Sequence, residues 1–165
     1  MAHSKSSAAE VADGPVSREK LIDLLNEDLA REFQAIIAYV NYSQVLKGAA
    51  YMSIAAELEK HAREELDHAL TIAKQIDYLG GDPTVTPKAV KTSSKPEQML
   101  RFDLENERET ILNYRARVKQ CEALSEYAIA EHIREILKQE QEHLSDLATA
   151  LGEDPPNLSR RNSKA

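Results

Sequence analysis

Each of the four apolar stripes in this 165-residue chain that is long enough for a helix is broken near its middle by a glutamate. The first runs Leu25, Leu29, Glu32, Ile36, Tyr39, in steps of four and three that keep all five side chains on one helical face. The second runs Ile54, Leu58, His61, Glu65, His68, Ile72. The third gives Leu100, Leu104, Glu107, Ile111, Tyr114, Val118, and the fourth Ile129, Ile133, Ile136, Glu140, His143, Leu147. A fold that buries these stripes must bury four carboxylates with them.

The stripes set the helix boundaries. The first helix opens at Ser17 as N-cap, with Val16 and Leu21 placed for a hydrophobic staple. Its apolar face runs from Leu21 through Val40, and it stops near Gly48. The second spans about 49–79 and ends at Gly80-Gly81-Asp82-Pro83. Ser94-Lys95-Pro96-Glu97 reads as a capping box opening the third helix, and the fourth covers about 124–151 before Pro155-Pro156. Helices of this length are about 40 Å long. The connection over residues 80–93 can span about 45 Å when extended, enough to return along the bundle. Bundle loops are ordinarily about 2–8 residues, so this one predicts a crossover that makes the second and third helices parallel. The expected architecture is all-α: a four-helix bundle over 17–152, with one long crossover between helices two and three. Residues 1–16 and 153–165 are expected to be mobile tails.

Register brings the glutamates together. Glu32 and Glu65 lie at nearly equal distances from the turn at Gly48, as Glu107 and Glu140 do from a turn near Ala123 or Leu124. All four should therefore meet at one height. The two halves also repeat at an offset of 75: Asp28-Leu29-x-x-Glu32 with Tyr39 matches Asp103-Leu104-x-x-Glu107 with Tyr114, and Glu65-x-x-His68 matches Glu140-x-x-His143. Two carboxylates about 4 Å apart repel by roughly 4 kcal/mol at an effective dielectric of 20, and desolvation adds more. No Lys or Arg lies on these stripes to compensate. Two divalent cations would neutralise the four charges, and two neutral imidazoles would complete the donor set. Oxygen and nitrogen donors without thiolate suit iron or manganese. One Glu-x-x-His is a weak signal, but two in register with two further glutamates are specific.

The other notable residues have plainer readings. His61, one turn before Glu65, reads as a core histidine beside the layer rather than a ligand. Tyr39 and Tyr114 read either as buried phenols hydrogen-bonded to a glutamate or as redox groups. Cys121 is the one cysteine and reads as a small core residue, so no internal disulfide and no thiolate cluster can form. Arg160, Arg161 and Lys164 read as a solvated tail. A net charge of −7 argues against nucleic-acid binding over the whole surface. No apolar run reaches the length of a membrane span, and Met1–Ser7 lacks the apolar stretch of a secretory signal; both lead to the expectation of a cytoplasmic protein.

The motif set, Glu then Glu-x-x-His, twice, resembles that of the ferritin-like di-iron carboxylate superfamily, and most closely of the bacterioferritins, over about residues 17–152. The resemblance implies Glu32 and Glu107 as terminal ligands, Glu65 and Glu140 as carboxylates bridging two irons, His68 and His143 as a cap on each, and Tyr39 beside the centre. It implies ferroxidase activity: two Fe ions per subunit (with Mn as the other fitting metal), Fe(II) oxidised by O2 or H2O2 for storage or detoxification, in a dimer-based homo-oligomer. Two departures stand out. The family's haem-ligand methionine is replaced by Leu66, so no haem is expected. The short fifth helix that helps close a 24-subunit shell is replaced by a polar tail, leaving a twelve-subunit cage or a dimer as alternatives. The competing functions are a di-metal enzyme without storage, such as a rubrerythrin-like peroxidase or a manganese catalase, and a DNA-protecting mini-ferritin or scaffold.

Overall fold

A computed structural model describes residues 14–159. Four long helices follow one another: α1 (Arg18–Val45), α2 (Met52–Tyr78), α3 (Pro96–Ala123) and α4 (Tyr127–Ala150). Contacts join α1 to α2, α3 to α4, α1 to α3 and α2 to α4. The expected bundle is what forms, and its connection runs the length of α1. Thr84 donates its backbone N–H to Asn26 near the start of α1. Further on, Lys88 N–H bonds the Ala30 carbonyl at 2.9 Å, Gln34 bonds the Ala89 carbonyl at 2.6 Å, and Tyr42 bonds the Lys91 carbonyl near the far end. The chain thus travels back along the bundle before α3 begins, which makes α2 and α3 parallel.

Local chemistry explains the helix ends. Ser17 Oγ accepts from Lys20 N–H at 3.1 Å, and Val16 packs on the core cluster containing Leu21, so the expected cap and staple both form. Beyond α2, Gly80 adopts a φ of 87°, with Gly80 N–H bonded to Asp77 O and Gly81 N–H to Ile76 O, each at 2.9 Å. This is the paired closure of a Schellman end, which needs a left-handed residue at Gly80. A Cβ on Gly81 would lie 2.4 Å from Ile22 Cγ2, so α2 can meet α1 there only through glycine.

Three boundaries differ from the sequence reading. Helix α1 stops at Val45, and a 3-10 turn over Ala49–Tyr51 precedes α2, because Gly48 takes a φ of 119°. Ser94 does not cap α3. The N-cap is Lys95, with Pro96 preset for the first turn, while Ser93 Oγ accepts from Lys95 N–H and bonds Gln98. Helix α4 begins at Tyr127 rather than 124, after Ser125 takes a φ of 61°. Val40, placed on the core stripe from sequence, is 53% exposed; the α1 face continues instead through Tyr39 and Tyr42. A cation is also buried beside the third stripe, although none lies on it. Arg117 is buried on α3, one step before half-buried Val118.

The core lies in two apolar clusters. One holds Leu21, Leu25, Leu29, Ile72, Ile76, Ile129, Ile133 and Ile136. The other holds Tyr39, Tyr42, Ile54, Leu58, Met99, Leu100 and Leu147. The four glutamates sit in chain order between the two. Residues 153–159 are held against α3 by the Arg101–Glu153 ion pair at 2.6 Å and by Arg115 Nη1 donating to the Leu158 carbonyl at 3.0 Å. Arg160, Arg161 and Lys164, and most of the expected N-terminal tail, lie outside the described residues.

Candidate metal centre

Each helix contributes one glutamate to the middle of the bundle, and Glu32, Glu65, Glu107 and Glu140 are all at least 97% buried. His68 and His143 join them one turn beyond the α2 and α4 glutamates, 2% and 1% exposed. The imidazole Nδ1 atoms point inward. His68 Nδ1 lies 3.1 Å from Glu65 Oε2, 3.3 Å from Glu140 Oε1 and 3.6 Å from Glu32 Oε2. His143 Nδ1 lies 2.9 Å from Glu65 Oε1, 3.3 Å from Glu140 Oε2 and 3.7 Å from Glu107 Oε1.

Two four-residue groups result, Glu32–Glu65–His68–Glu140 and Glu65–Glu107–Glu140–His143, each with its potential ligand atoms within 4.8 Å of one another. They share Glu65 and Glu140, and each of those carboxylates turns one oxygen to either histidine. Many of the converging atoms have no hydrogen-bond partner: Glu32 Oε2, Glu65 Oε1, both Glu140 oxygens and His143 Nδ1. Buried polar atoms are rarely left so. Polar atoms converging on common points in this way fit cations there.

The electrostatics carry the same strain. Burial, then the charges of Glu140 and Glu32, pushes the Glu65 carboxyl well above its usual range. Burial and Glu140 raise Glu107 to about 7. Burial acts on Glu32 as well, but the close approach of Glu65 and of His68 outweighs it and holds that carboxyl low. Both inward histidines are pulled up, because the surrounding carboxylates outweigh the cost of burying a charged imidazole. Without metal, the layer compensates its charge with protons.

A ring of further groups fixes the six. Tyr39 on α1 donates its hydroxyl to Glu107 on α3, and Tyr114 on α3 donates to Glu32 on α1. Both tyrosines are buried phenols bonded to a glutamate. Tyr39 also stands edge-on to His61 and His143, with ring centroids 5.4 and 6.1 Å away. The outward Nε2 atoms of the histidines have cross-helix partners: Glu64 Oε2 for His143 and Gln139 Oε1 for His68, both at 2.8 Å. The sequence reading missed these two, although Glu64 and Gln139 are themselves related by the 75-residue offset. It also missed Asp28, which takes both arms of Arg117 at 2.6 and 3.1 Å one turn before Glu32. His61 is fully buried, stacks on His143 with centroids 4.0 Å apart, and bonds Asp146 on α4 at 3.1 Å. Burial and then His143 lower its pKa to about 4, so it is neutral at neutral pH. Leu66, at the position where the family's haem-ligand methionine falls, is 51% exposed on α2. Among the described residues, no helix is long and apolar enough to cross a membrane.

The profile of the ferritin-like domain matches residues 22–155. A bacterioferritin of Desulfovibrio desulfuricans is 31% identical over 129 residues, which is 78% of this chain and 72% of that protein. A bacterioferritin of Brucella melitensis is 26% identical over 133 residues, covering 80% of this chain and 83% of that one. A crystal structure of ferritin-like, diiron-carboxylate proteins from Bacillus anthracis superposes with a TM-score of 0.78 at 32% identity, covering 81% of this chain and 96% of that one. With a profile match that takes in all four helices and their paired glutamates, the chain belongs to the ferritin-like domain family.

Proposed function

We propose that the protein is a ferroxidase, taking two Fe(II) per chain into the glutamate layer and oxidising them with O2 or hydrogen peroxide. The observation that carries this is the sharing of Glu65 and Glu140 between two otherwise separate ligand groups. Carboxylates shared in this way hold two cations about 3.5–4 Å apart, the separation two-metal sites use. In this reading Glu65 and Glu140 bridge, Glu32 and His68 complete one site, and Glu107 and His143 complete the other. The bound pair supplies two electrons to the oxidant, which takes up two protons, and leaves as Fe(III).

The chain's own residues prepare that event. Tyr114 occupies Glu32 Oε1, leaving the unpartnered Oε2 free to face the cation. Tyr39 bonds Glu107 at Oε1, the oxygen that also lies 3.7 Å from His143 Nδ1, and its phenol stands near the histidines without being a ligand. Glu64 and Gln139 hold the imidazole rings with Nδ1 inward. Manganese fits the same donors. Leu66 offers no sulfur atom, so the reading includes no haem. Ile37 and Val40 on α1, and Leu66 and Leu70 on α2, leave exposed apolar side chains that support a homo-oligomer. Iron storage or detoxification in such an assembly, in the cytoplasm, completes the reading.

The test is single-turnover oxidation under limiting Fe(II). A fast phase of about two irons per chain is expected from a two-metal site, abolished in Glu65→Ala and in Glu140→Ala and retained in Tyr39→Phe. Fast oxidation surviving in both glutamate variants would overturn the assignment. Light scattering and the iron retained per particle report whether storage accompanies it.

A further inference from the structure

His61 is the one residue of the α2 core stripe that the internal repeat does not explain. Its counterpart 75 residues on is Ile136, which is also buried, so bundle packing at this level is met by an aliphatic side chain. By itself the imidazole is the less stable choice: its Nδ1 is buried without a hydrogen-bond partner, a cost that isoleucine does not carry. What the ring gains is contact with the layer. It stacks on His143 with centroids 4.0 Å apart and planes 28° apart, and it meets Tyr39 at 5.4 Å with planes crossed at 73°. Tyr39 in turn meets His143 at 6.1 Å, so the three rings close on one another.

Asp146 holds the ring in that place. His61 Nε2 donates to Asp146 Oδ2 at 3.1 Å, and Asp146 lies one turn beyond His143 on α4. The helix that carries the candidate ligand thus also carries the anchor of the ring stacked on it. Glu64 sets the direction in which His143 points, because it accepts from Nε2. A single hydrogen bond along that axis leaves the ring plane free to turn, and a flat neighbour on its face removes that freedom. The other half of the repeat has neither part. Ile136 stands at the place of His61, and Thr71, at the place of Asp146, bonds the Asp67 carbonyl on its own helix. Among the described residues, the ring nearest His68 is His143 itself, at 6.0 Å.

We infer that His61 is a positioning residue for the Glu107–His143 half of the centre, held by Asp146 so that it fixes the plane of the His143 imidazole and the Tyr39 phenol beside it. It binds no metal itself. Tyr39 donates to Glu107, so one ring steadies both the nitrogen donor and the partner of the carboxylate on that side. The Glu32–His68 half lacks such a ring and must order its imidazole as the cation binds. The two halves therefore differ in preorganisation although their ligand types are the same. The consequence at the metal rests on the di-metal reading, whereas the effect on Tyr39 rests on the ring geometry alone.

The test uses the full chain with isotope-labelled histidine and tyrosine, first metal-free and then with Co(II), in the variants His61→Ile, Asp146→Leu and Asp146→Asn. Asparagine keeps the acceptor oxygen, so Asp146→Asn should match the parent throughout. Urea unfolding should show metal-free His61→Ile no less stable than the parent, because isoleucine already fills the equivalent place in the other half. Tyr39 ring flips should nevertheless be faster in metal-free His61→Ile and Asp146→Leu than in the parent. With Co(II), the His143 imidazole resonances should move in those two variants while those of His68 stay, and the ion on the His143 side should bind several-fold more weakly. Unchanged Tyr39 flips and an unchanged His143 signature in His61→Ile would overturn the positioning role and leave the di-metal reading standing. Equal changes at His68 and His143, together with lost stability, would make His61 a packing residue and overturn it as well. If the parent takes up no Co(II) in the layer, the di-metal reading fails, and the Tyr39 flips then decide the role of the ring alone.

Discussion

Tyr39 on α1 hydrogen-bonds Glu107 on α3, and the pairing is returned across the bundle by Tyr114 and Glu32. Each phenol belongs to the helix opposite the carboxylate it serves. The two exchanges tie α1 to α3 at the level of the glutamate layer and leave one oxygen of Glu32 and one of Glu107 committed. A hydrogen bond to a charged group is worth about 1.5–3 kcal/mol. Tyr39→Phe should therefore weaken one of the two central metals by about tenfold or more, and Tyr114→Phe should weaken the other, with neither abolishing binding. Stepwise Co(II) titration checks this. Both variants weakening the same ion would show that the tyrosines do not divide between the sites.

Protonation supplies a second prediction. Glu107 is held at about 7 in the metal-free protein, against 4.5 for a free carboxyl. Between those values the folded chain holds a proton that the unfolded chain has lost. The contribution of Glu107 is thus fully present below about 4.5 and lost as pH rises through about 7. His68 and His143, both raised, act with the same sign above 6.5, while His61, lowered to about 4, acts oppositely between about 4 and 6.5. Comparing the parent with Glu107→Gln isolates the first effect: the parent's Tm should fall relative to the variant's from pH 4.5 to 7. Saturating Mn(II) should reverse the slope, since ligands must shed protons to bind, and at 100 times its Kd it should add about 2.7 kcal/mol. A metal-free parent that gained on Glu107→Gln with rising pH would contradict the protonated layer.

The six central residues were legible because a charged side chain on an apolar stripe is a local violation that periodicity exposes, and the repeat doubled every instance. The crossover was legible from loop length alone. What escaped was relational. At Tyr114 the next residue on the face is three or four positions on, and helical spacing allows either. Apolar Val118 looked the better choice, but the buried side chain is Arg117, whose partner Asp28 lies 89 positions away on another helix. Val40 failed for the same reason in reverse. Glu64 and Gln139 were invisible because each serves a histidine of the opposite helix, and no spacing within one helix reports that.

The Arg117–Asp28 pair yields a third prediction. Both side chains are 2% exposed, and Arg117 also donates to Gln120 at 2.5 Å. Burial raises the Asp28 carboxyl even against the pull of Arg117, so removing the guanidinium leaves an uncompensated buried acid. Arg117→Met should cost about 3–5 kcal/mol, and Asp28→Leu/Arg117→Met should cost clearly less than the sum of the two single changes. Additive losses in urea unfolding would show that the two groups do not act as a pair.

The histidines are the least symmetric part of the repeat, because a carboxylate stands behind His143 and a neutral amide behind His68. Glu64 is held low, despite burial, by its hydrogen bond to His143 and that ring's charge, so it is ionised at neutral pH. An ionised acceptor makes the imidazole it orients a stronger donor at its other nitrogen, and such partners are worth about 10–100-fold in metal affinity. The site built on His143 and Glu107 should therefore fill first. Co(II) should bind the layer with two constants separated by about tenfold or more. Glu64→Gln should draw them together by weakening the tighter one, and Gln139→Glu should do so by strengthening the weaker. Both changes keep the acceptor oxygen, so ring orientation is preserved and the charge alone is tested. Two constants that stay equally far apart in both variants would show that the asymmetry arises elsewhere in the layer.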